Sequence, residues 1–363
     1  MRIAILLGTR PEIIKMAPVI RECQRKRREL EYFVLHTGQH YTYTLDRIFF
    51  DQLDLPAPRY NLDVGSGSHG QQTGKILLGV EKVLMKSRPK AVLVEGDTNT
   101  VMAGALAASK LDIKIGHVEA GLRSYDRSMP EEINRVVADH VSDYLFAPTS
   151  TSQMNLLAEG IPPQKIYVTG NTIVDSIYQN LKIAQRKVDV LADLGLKSKE
   201  YFLVTTHRQE NVDSQERLSA IIQGLELVGR EYSVPIIFPI HPRTSKMVEK
   251  FGLNLSGIDV MEPVGYLEFL QLEADSRLVL TDSGGVQEEA CILGVPCVTL
   301  RDNTERPETL DVGANILVGA KPQQILDGVR QMLDMGRTWN NPFGDGTAGA
   351  KIVRIVQDEL GSL

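Results

Sequence analysis

The stretch "RIAILLGTRPEIIKMAPVI", residues 2–20, contains the pattern that decides the fold of this chain. It opens with an unbroken apolar run, which is typical of a strand buried on both faces of a parallel sheet. After a short turn, apolar residues recur at helical spacing. A strand that passes through a tight turn into a helix is the building unit of α/β folds.

Strand and helix patterns alternate in this way along almost the whole chain. The first set of strand candidates contains "RIAILLG", "YFVLHTG", "AVLVEGD", "KIGHVEA", "YLFAP" and "KIYVTG". The second set contains "YFLVTTH", "PIIFPIH", "IDVMEPV", "LVLTDSG", "PCVTLR" and "ANILVG". Helical patterns such as "LSAIIQGLELVGREY" separate the strands. The alternation predicts an α/β fold with two doubly wound parallel-sheet domains of the Rossmann-like kind.

The length of 363 residues also favours two domains over one. We predict that residues 1–171 form the first domain together with a returning C-terminal helix at 347–363, and that residues 172–346 form the second. The segment "NTIVDSIYQNLKIAQRK" is the predicted linking helix, and "NNPFGDG" is a loop that precedes the last helix.

Composition excludes several classes of function. The net charge is -6, and the basic residues are scattered, so neither a nucleic-acid stripe nor a basic membrane face is present. Three cysteines without metal-ligand spacing and seven dispersed histidines argue against a metal site. The chain enters a strand directly, with no signal peptide or membrane-spanning segment, so we expect a cytoplasmic protein.

Polar residues follow nearly every predicted strand, where ligands of open α/β sheets bind. In the first domain they are Arg10, His36, Gln39, Asp97 and Glu119, and in the second His207, His241, Glu262, Asp282, Ser283 and Arg301. If the two edges face each other across a cleft, they form a two-domain binding site.

Two features point to a phosphate ligand. In "TDSGGVQEEA", Ser283, Gly284 and Gly285 separate a strand from a helix, where free N–H groups bind anions. A tight turn with Ser283 as helix cap explains the same residues equally well. Three cations could hold phosphate or form surface ion pairs: Arg10, Lys15 and Arg306. The chain has neither G-x-G-x-x-G after its first strand nor G-K-[ST], which weakens NAD and ATPase interpretations.

Two further side chains have a binding and a packing interpretation. Glu289, two turns into the next helix, could hold ribose hydroxyls, although an exposed helix glutamate is more common. Phe269 could flank a base, although a core aromatic is the commoner case.

Carboxylates at strand ends suggest acid/base chemistry. Asp97 and Glu119 leave buried strands, where partial desolvation raises a carboxyl pKa, although either could instead satisfy backbone N–H groups. His207 could be a general acid or a hydrogen-bonded loop histidine. In "MPEEINR", Glu131 and Arg135 have i,i+4 spacing for an ion pair, and Glu132 is interpreted as a helix-start residue.

With these residues in place, the chain resembles the non-hydrolysing UDP-N-acetylglucosamine (UDP-GlcNAc) 2-epimerases, above all archaeal members. The matching stretches are "GTRPEIIKMAPVI", "EGDTNTVMAGALAA", "HVEAGLRS", "MPEEINR", "TTHRQEN", "TDSGGVQEEA" and "RDNTERPET". The resemblance implies a GT-B-like fold with the nucleotide in the interdomain cleft. It implies interconversion of UDP-GlcNAc and UDP-N-acetylmannosamine (UDP-ManNAc) without a cofactor, and a homodimer.

The family's site residues carry over to numbered positions of this chain. Catalytic groups fall on Asp97, Glu119, Glu131, Arg135 and His207, and substrate contacts on Arg10, Lys15, His207, Phe269, Ser283, Gly284, Gly285, Glu289 and Arg306. A second, regulatory UDP-GlcNAc site of bacterial members corresponds to Gln39, His40 and His241. The chain departs from bacterial members at "HYTYT" beside that site, and has Val264 where they tend to have glutamine.

The residues suit elimination and re-addition of UDP. Cations stabilise the leaving diphosphate, and carboxylates stabilise charge at C1 and take the C2 proton. Three alternatives use the same features: a glycosyltransferase of the same fold, a hydrolysing epimerase that releases ManNAc and UDP, and a sugar-nucleotide-binding regulator without turnover. The expected partners are UDP-GlcNAc, UDP-ManNAc and UDP.

Overall fold

A computed structural model describes residues 1–39 and 43–361 of the chain. They form two compact units, Met1–Gln179 with Phe343–Leu363, and Asn180–Pro342. The predicted divisions at 171–172 and 346–347 lie a few residues from these limits and stay a prediction. None of the helices in the described ranges has the length and apolar character needed to cross a membrane.

The first unit is built on a seven-stranded parallel sheet. Its strands are β1 (Arg2–Leu7), β2 (Glu31–His36), β3 (Tyr60–Asn61), β4 (Ala91–Glu95), β5 (Lys114–Val118), β6 (Tyr144–Ala147) and β7 (Ile166–Val168). Their order across the sheet is β3-β2-β1-β4-β5-β6-β7, and all neighbours are parallel. The six predicted strands are confirmed. The two-residue β3 was not predicted, because two residues show no periodicity.

The second unit is built on a six-stranded parallel sheet. Its strands are β8 (Phe202–Thr205), β9 (Ile236–Pro239), β10 (Asp259–Met261), β11 (Leu278–Thr281), β12 (Cys297–Thr299) and β13 (Asn315–Leu317). Their order is β10-β9-β8-β11-β12-β13. Along β8, Phe202 and Val204 join one apolar core while Leu203 joins another, so helices cover both faces. The predicted α/β fold with two doubly wound sheets is therefore confirmed.

Helices connect these strands. The first seven are α1 (Arg10–Arg25), α2 (Tyr43–Gln52), α3 (His69–Ser87), α4 (Asn99–Ser109), α5 (Pro130–Val141), α6 (Ser150–Ala158) and α7 (Thr172–Lys187), and α7 crosses from the first unit into the second. The next are α8 (Val190–Leu194), α9 (Gln209–Val212), α10 (Gln215–Tyr232), α11 (Pro242–Phe251), α12 (Tyr266–Asp275), α13 (Gly284–Leu293), α14 (Pro307–Asp311) and α15 (Pro322–Met335). A short 3-10 turn, Pro163–Lys165, precedes β7.

The last helix, α16 (Ala348–Gly361), belongs to the first unit and packs on α1. Asp175 of α7 accepts hydrogen bonds from the backbone N–H groups of Ala348 (3.1 Å) and Gly349 (3.0 Å), the first residues of α16. A Cβ on Gly349 would lie 2.9 Å from Cβ of Pro18, so only glycine allows this close approach to α1.

We expect Gly121→Ala to destabilise the first unit by about 2–5 kcal/mol. Gly121 has φ +82°, and an added Cβ would collide with the backbone carbonyl oxygen of Ser152. Gly160→Ala is the matched control, because Gly160 has φ +83° but no atom within 4 Å of the added Cβ. Urea unfolding should show a much smaller loss for the control. Equal losses of unfolding free energy in the two variants would mean that the left-handed backbone conformation alone, without the collision at Ser152, explains the destabilisation.

Candidate active site

Both sheets have a switch point at which the strand order reverses. In the first unit it lies between β1 and β4, and in the second between β8 and β11. Crevices outside the carboxyl ends of such strands are the usual ligand sites of open α/β sheets. The predicted residues Arg10 and Asp97 follow β1 and β4, and His207 and Ser283 follow β8 and β11.

Lys15 lies between two carboxyl groups at the switch point of the first unit. Its Nζ contacts Oε2 of Glu119 and lies 3.3 Å from Oε1 of Glu95. Glu95, the last residue of β4, is 1% exposed. Burial raises the pKa of Glu95 well above its ordinary value; Lys15 opposes the rise and Glu119 adds to it. Burial thus favours the protonated form of Glu95, next to the side chain of Glu119.

Glu119 also has a strained backbone. Its φ is +67°, in the left-handed region that residues other than glycine rarely adopt. Such strain often occurs where a side chain must be held in one direction. The conformation places the Glu119 carboxylate against Lys15 instead of continuing the line of β5.

Arg135 connects Asp97 with Glu132. Its Nη2 contacts Oδ2 of Asp97, and its Nη1 lies 2.9 Å from Oε2 of Glu132. The predicted ion pair between Glu131 and Arg135 is wrong, because Arg135 turns to the buried neighbour while Glu131 is exposed. Adjacent helix residues point about 100° apart, so only one of two consecutive glutamates can face the guanidinium.

Glu132 is the structural partner in this stretch, contrary to its prediction as a simple helix-start residue. Its carboxylate accepts hydrogen bonds from the backbone N–H of Ser124 (3.0 Å), the hydroxyl of Ser124 (2.9 Å) and the backbone N–H of Tyr125 (3.0 Å). Burial alone would raise its pKa, but these hydrogen bonds and Arg135 hold it below the ordinary value. Glu132 thus fixes the loop before α5 and orients Arg135.

Glu12 is a buried carboxyl that sequence analysis missed. It contacts the backbone N–H of Gly8, and accepts hydrogen bonds from the N–H of Thr9 (3.0 Å) and the hydroxyl of Thr98 (2.5 Å). Burial raises its pKa to about 7, against the effect of these hydrogen bonds. The T-x-x-E spacing of Thr9 and Glu12 is a capping-box signal that could have found it.

Two other predicted residues of the first unit have partners of their own. The Arg10 guanidinium lies 5.5 Å from the ring centre of Phe49. Gln39, predicted for a regulatory site, is buried, and its Oε1 accepts hydrogen bonds from the N–H (3.3 Å) and hydroxyl (2.9 Å) of Thr100. His40, predicted for the same site, lies outside the described residues.

In the second unit, Asp282 orients His207. Asp282 is fully buried, and its carboxylate lies 3.0 Å from Nδ1 of His207. It accepts further hydrogen bonds from the backbone N–H groups of His207 and Arg208 and from the side chains of Thr206 and Asn211. Burial would raise the pKa of Asp282, but the hydrogen bonds from His207, Thr206 and Arg208 hold it below its ordinary value.

We expect Asp282→Asn to lower the free energy of unfolding at pH 7 by about 2–4 kcal/mol, because an amide nitrogen would face several donors. A carboxyl group whose pKa is lowered by folding stabilises the fold at pH values above its pKa in the unfolded chain, which is about 3.9. That contribution is lost as pH falls through the folded pKa, so the difference from wild type should shrink in acid. Asp213→Asn, which removes an exposed pair with Arg243, is the control. A pH-independent difference would contradict the assignment.

His241 is the helix cap of α11. Its Nδ1 accepts a hydrogen bond from the backbone N–H of Arg243 at 3.2 Å, and its ring centre lies 5.9 Å from that of His207. Burial lowers the pKa of His241, and electrostatic repulsion from the neighbouring His207 and Arg243 lowers it further. A capping role explains its position, and its regulatory role stays a prediction.

Ser283, Gly284 and Gly285 begin helix α13. Ser283 is the N-cap, and its hydroxyl faces the backbone N–H of Val286 at 3.5 Å. A Cβ on Gly284 would meet no atom closer than 3.6 Å, and one on Gly285 none closer than 3.8 Å. The packing within the described residues therefore does not require glycine here, whereas close approach of a ligand to the backbone would.

The remaining predicted residues of this unit surround α13. Nε of Arg306 lies 3.2 Å from Oε2 of Glu288. Phe269 packs against an apolar core cluster, which agrees with its packing interpretation. Glu289 is half-buried rather than exposed, and burial raises its pKa to about 7. Among the described residues, no group of three His, Cys, Asp or Glu side chains could hold a metal ion.

A sequence profile of the UDP-N-acetylglucosamine 2-epimerase family matches residues 21–357. The chain belongs to the UDP-N-acetylglucosamine 2-epimerase family. The resemblance inferred from the motifs is thereby confirmed, and the chain is an enzyme of the epimerase class.

Relatives extend this family assignment over the full length. A UDP-N-acetylglucosamine 2-epimerase of Methanococcus maripaludis is 58% identical over 99% of both chains. The structure of UDP-GlcNAc 2-epimerase from Methanocaldococcus jannaschii matches with a TM-score of 0.92 at 55% identity, covering 99% of this chain and 100% of that one. A complex of that enzyme with UDP-GlcNAc and UDP matches with a TM-score of 0.84 at 56% identity and the same coverage. The UDP-2,3-diacetamido-2,3-dideoxy-D-glucuronate 2-epimerase of Pseudomonas aeruginosa is 44% identical, covering 98% of this chain and 99% of that one.

Proposed function

We propose that the chain interconverts UDP-GlcNAc and UDP-ManNAc by eliminating UDP and adding it back, without net hydrolysis. The observation that carries the proposal is the group formed by Lys15, Glu95 and Glu119, in which one ammonium contacts two carboxyl groups. A carboxylate held in this way can take a proton from the substrate and later return one to it. The names of the archaeal relatives at 56–58% identity support the substrate.

The proposed reaction begins with heterolysis of the bond between C1 and the diphosphate oxygen, whose electron pair leaves with UDP. Positive charge at C1 makes the C2 proton acidic, and a carboxylate removes it. The electrons of the C2–H bond form the C1=C2 double bond of 2-acetamidoglucal. A proton then adds to the opposite face of C2, and the UDP oxygen returns to C1.

The residues of the first unit are assigned to the sugar. Asp97, Glu119 and Glu131 are the candidate proton carriers, and Arg135 holds Asp97 in place through their ion pair. Burial raises the pKa of Glu95 beside Glu119, and Lys15 places a cation against the Glu119 carboxylate.

The residues of the second unit are assigned to the nucleotide. The turn at Ser283–Gly285 receives phosphate, Glu289 accepts hydrogen bonds from the ribose, and Phe269 lies beside the base. His207, oriented by Asp282, donates to the departing diphosphate. Arg306, and from the first unit Arg10 and Lys15, supply positive charge for the diphosphate.

Incubation with UDP-GlcNAc alone in D2O, followed by NMR, tests the proposal. We expect UDP-ManNAc with deuterium at C2, because the removed proton exchanges with solvent. Protium retained at C2 of the product would rule out elimination. Free ManNAc with UDP would identify a hydrolysing epimerase, and unchanged substrate would favour a glycosyltransferase or a binding protein.

The 44% identity to the diacetamido-glucuronate epimerase makes the sugar substituents worth testing separately. We expect turnover of UDP-GlcNAc to exceed turnover of the diacetamido-glucuronate, because the relatives of higher identity are UDP-GlcNAc 2-epimerases by name. A preference for the charged sugar would reassign the substrate while leaving the inversion at C2.

We also propose that the enzyme is a homodimer. Light scattering should then give twice the chain mass of 40.3 kDa. A mass of 40.3 kDa at assay concentrations would contradict this.

A further inference from the structure

A buried carboxyl group, that of Glu273, lies next to the half-buried Glu289, which is assigned to the nucleotide. Glu273 of α12 is fully buried, and its side chain is hydrogen-bonded to that of Glu289 on α13. Neither oxygen of Glu273 receives a hydrogen bond from an N–H or hydroxyl donor in the part of the chain that the structure describes. Since two carboxylates cannot donate to each other, a proton must lie between them.

The surroundings favour a neutral Glu273. Apolar side chains that include Leu272, Val286 and Val295 form the neighbouring core. An ionised carboxylate in such a place, with no cation beside it, is strongly disfavoured. Burial accordingly raises the pKa of Glu273 well above its ordinary value, and the neighbouring Glu289 raises it further.

The other titratable groups near the pair do not supply a positive charge to it. Glu288, on the same helix as Glu289, is paired with Arg306 at 3.2 Å. The thiols of Cys291 and Cys297 are buried, and burial raises both of their pKa values, that of Cys291 to about 12. Both thiols are thus neutral, and Glu273 remains the group that stabilises charge on Glu289.

We propose that protonated Glu273 donates a hydrogen bond to Glu289 and thereby holds it as a carboxylate aimed at the ribose hydroxyls of the nucleotide. Glu273 is then a positioning residue for nucleotide binding. The inference rests on the proposed function, because that assigns Glu289 to the ribose. It adds that the strength of the ribose contact depends on a buried acid that does not touch the substrate.

The pH dependence follows from the ionisation of Glu289. Burial raises the pKa of Glu289 to about 7, although the hydrogen bond from Glu273 lowers it. A carboxylate accepts hydrogen bonds from both ribose hydroxyls, while a protonated carboxyl has lost part of that capacity. The ribose contribution should therefore be full above pH 7 and weaken as pH falls through that value.

Calorimetric titration with UDP and with 2′,3′-dideoxy-UDP isolates the ribose contribution. Both probes carry the same titrating diphosphate, so the ratio of their Kd values reports the hydroxyl contacts alone. For the wild-type enzyme we expect UDP to bind about tenfold to a hundredfold more tightly at pH 8. The advantage should fall by about tenfold at pH 5.5.

Two variants of Glu273 separate the effect of its hydrogen-bond donor from the effect of its side-chain volume. Glu273→Gln keeps a donor and should retain the wild-type ratio at pH 8. Glu273→Met fills the space without a donor, so the pKa of Glu289 rises and the pH midpoint of the ratio should move upward by about one unit or more. For Glu289→Gln, the advantage of UDP over 2′,3′-dideoxy-UDP in Kd should be small and should not change with pH.

The inference is overturned if the wild-type ratio does not change with pH. It is also overturned if Glu273→Met titrates at the wild-type midpoint, or if Glu273→Gln loses the ratio as fully as Glu273→Met. Should Glu273→Met fail to fold, the wild-type profile and Glu273→Gln decide. Failure of wild-type enzyme to bind UDP at any pH is a different result, which removes the nucleotide site and the proposed function with it.

Discussion

Asp97→Asn should lower the turnover of UDP-GlcNAc by at least about a hundredfold, the low end for loss of general acid/base catalysis. Asp97 follows β4 at the switch point, and its carboxylate is partly exposed and paired with Arg135. An amide of the same shape can neither take a proton nor neutralise Arg135. NMR of the sugar-nucleotide mixture gives kcat, and D2O gives exchange at C2 separately.

The control for Asp97→Asn is Asp112→Asn. Asp112 is exposed and has φ +54°, a conformation that asparagine tolerates. UDP affinity should be unchanged in both variants, because Asp97 is assigned to the sugar. Near-normal turnover in Asp97→Asn would remove Asp97 from the catalytic set.

Glu131→Gln should lower turnover by at least about a hundredfold while leaving stability within about 0.5 kcal/mol of wild type. Glu131 is exposed at the start of α5 and has no ion pair among the described residues, so neutralising it removes no internal contact. A loss of turnover without a loss of stability would therefore report on the reaction itself.

Glu132→Gln is the comparison, because Glu132 is the adjacent residue and differs in burial. It should lower the free energy of unfolding by about 2–3 kcal/mol, since the amide nitrogen would face the N–H groups of Ser124 or Tyr125. Urea unfolding and kcat, measured on both variants, separate the two roles. If Glu131→Gln keeps normal turnover and Glu132→Gln loses it at unchanged stability, the catalytic assignment belongs to Glu132.

The sheets could be predicted from sequence, because strands that are buried on both faces of a parallel sheet consist mainly of apolar residues. In the described part of the chain, twelve of the thirteen strands lie in stretches predicted to be strands, and Tyr60–Asn61 does not. The order of strands in each sheet was not predictable from these runs. Neighbouring strands pair through backbone hydrogen bonds, and the apolar side chains do not specify which strands pair. The start of the helix at Pro130 could also be predicted, because proline suits the first helical position.

The candidate site was only partly predictable, because side-chain direction depends on tertiary contacts. Spacing placed Glu131 opposite Arg135, but hydrogen bonds from Ser124 and Tyr125 fix the carboxylate of the buried Glu132, and the Arg135 guanidinium pairs with Glu132 instead. Glu95 begins the family stretch "EGDTNTVMAGALAA" but was not singled out, because it ends an apolar run, and Glu273 lies in none of the family stretches. Their importance comes from burial, which neighbouring elements create.

The packing of α16 on α1 determines when the first unit can complete its fold during synthesis. The residues that complete the first unit, Phe343–Leu363, are synthesised only after the whole of Asn180–Pro342. Until Ala348 and Gly349 reach Asp175, the α1 surface around Pro18 stays uncovered. The first unit therefore cannot complete its packing before the whole of the second unit has been synthesised, so its folding depends on contacts between residues that are far apart in sequence.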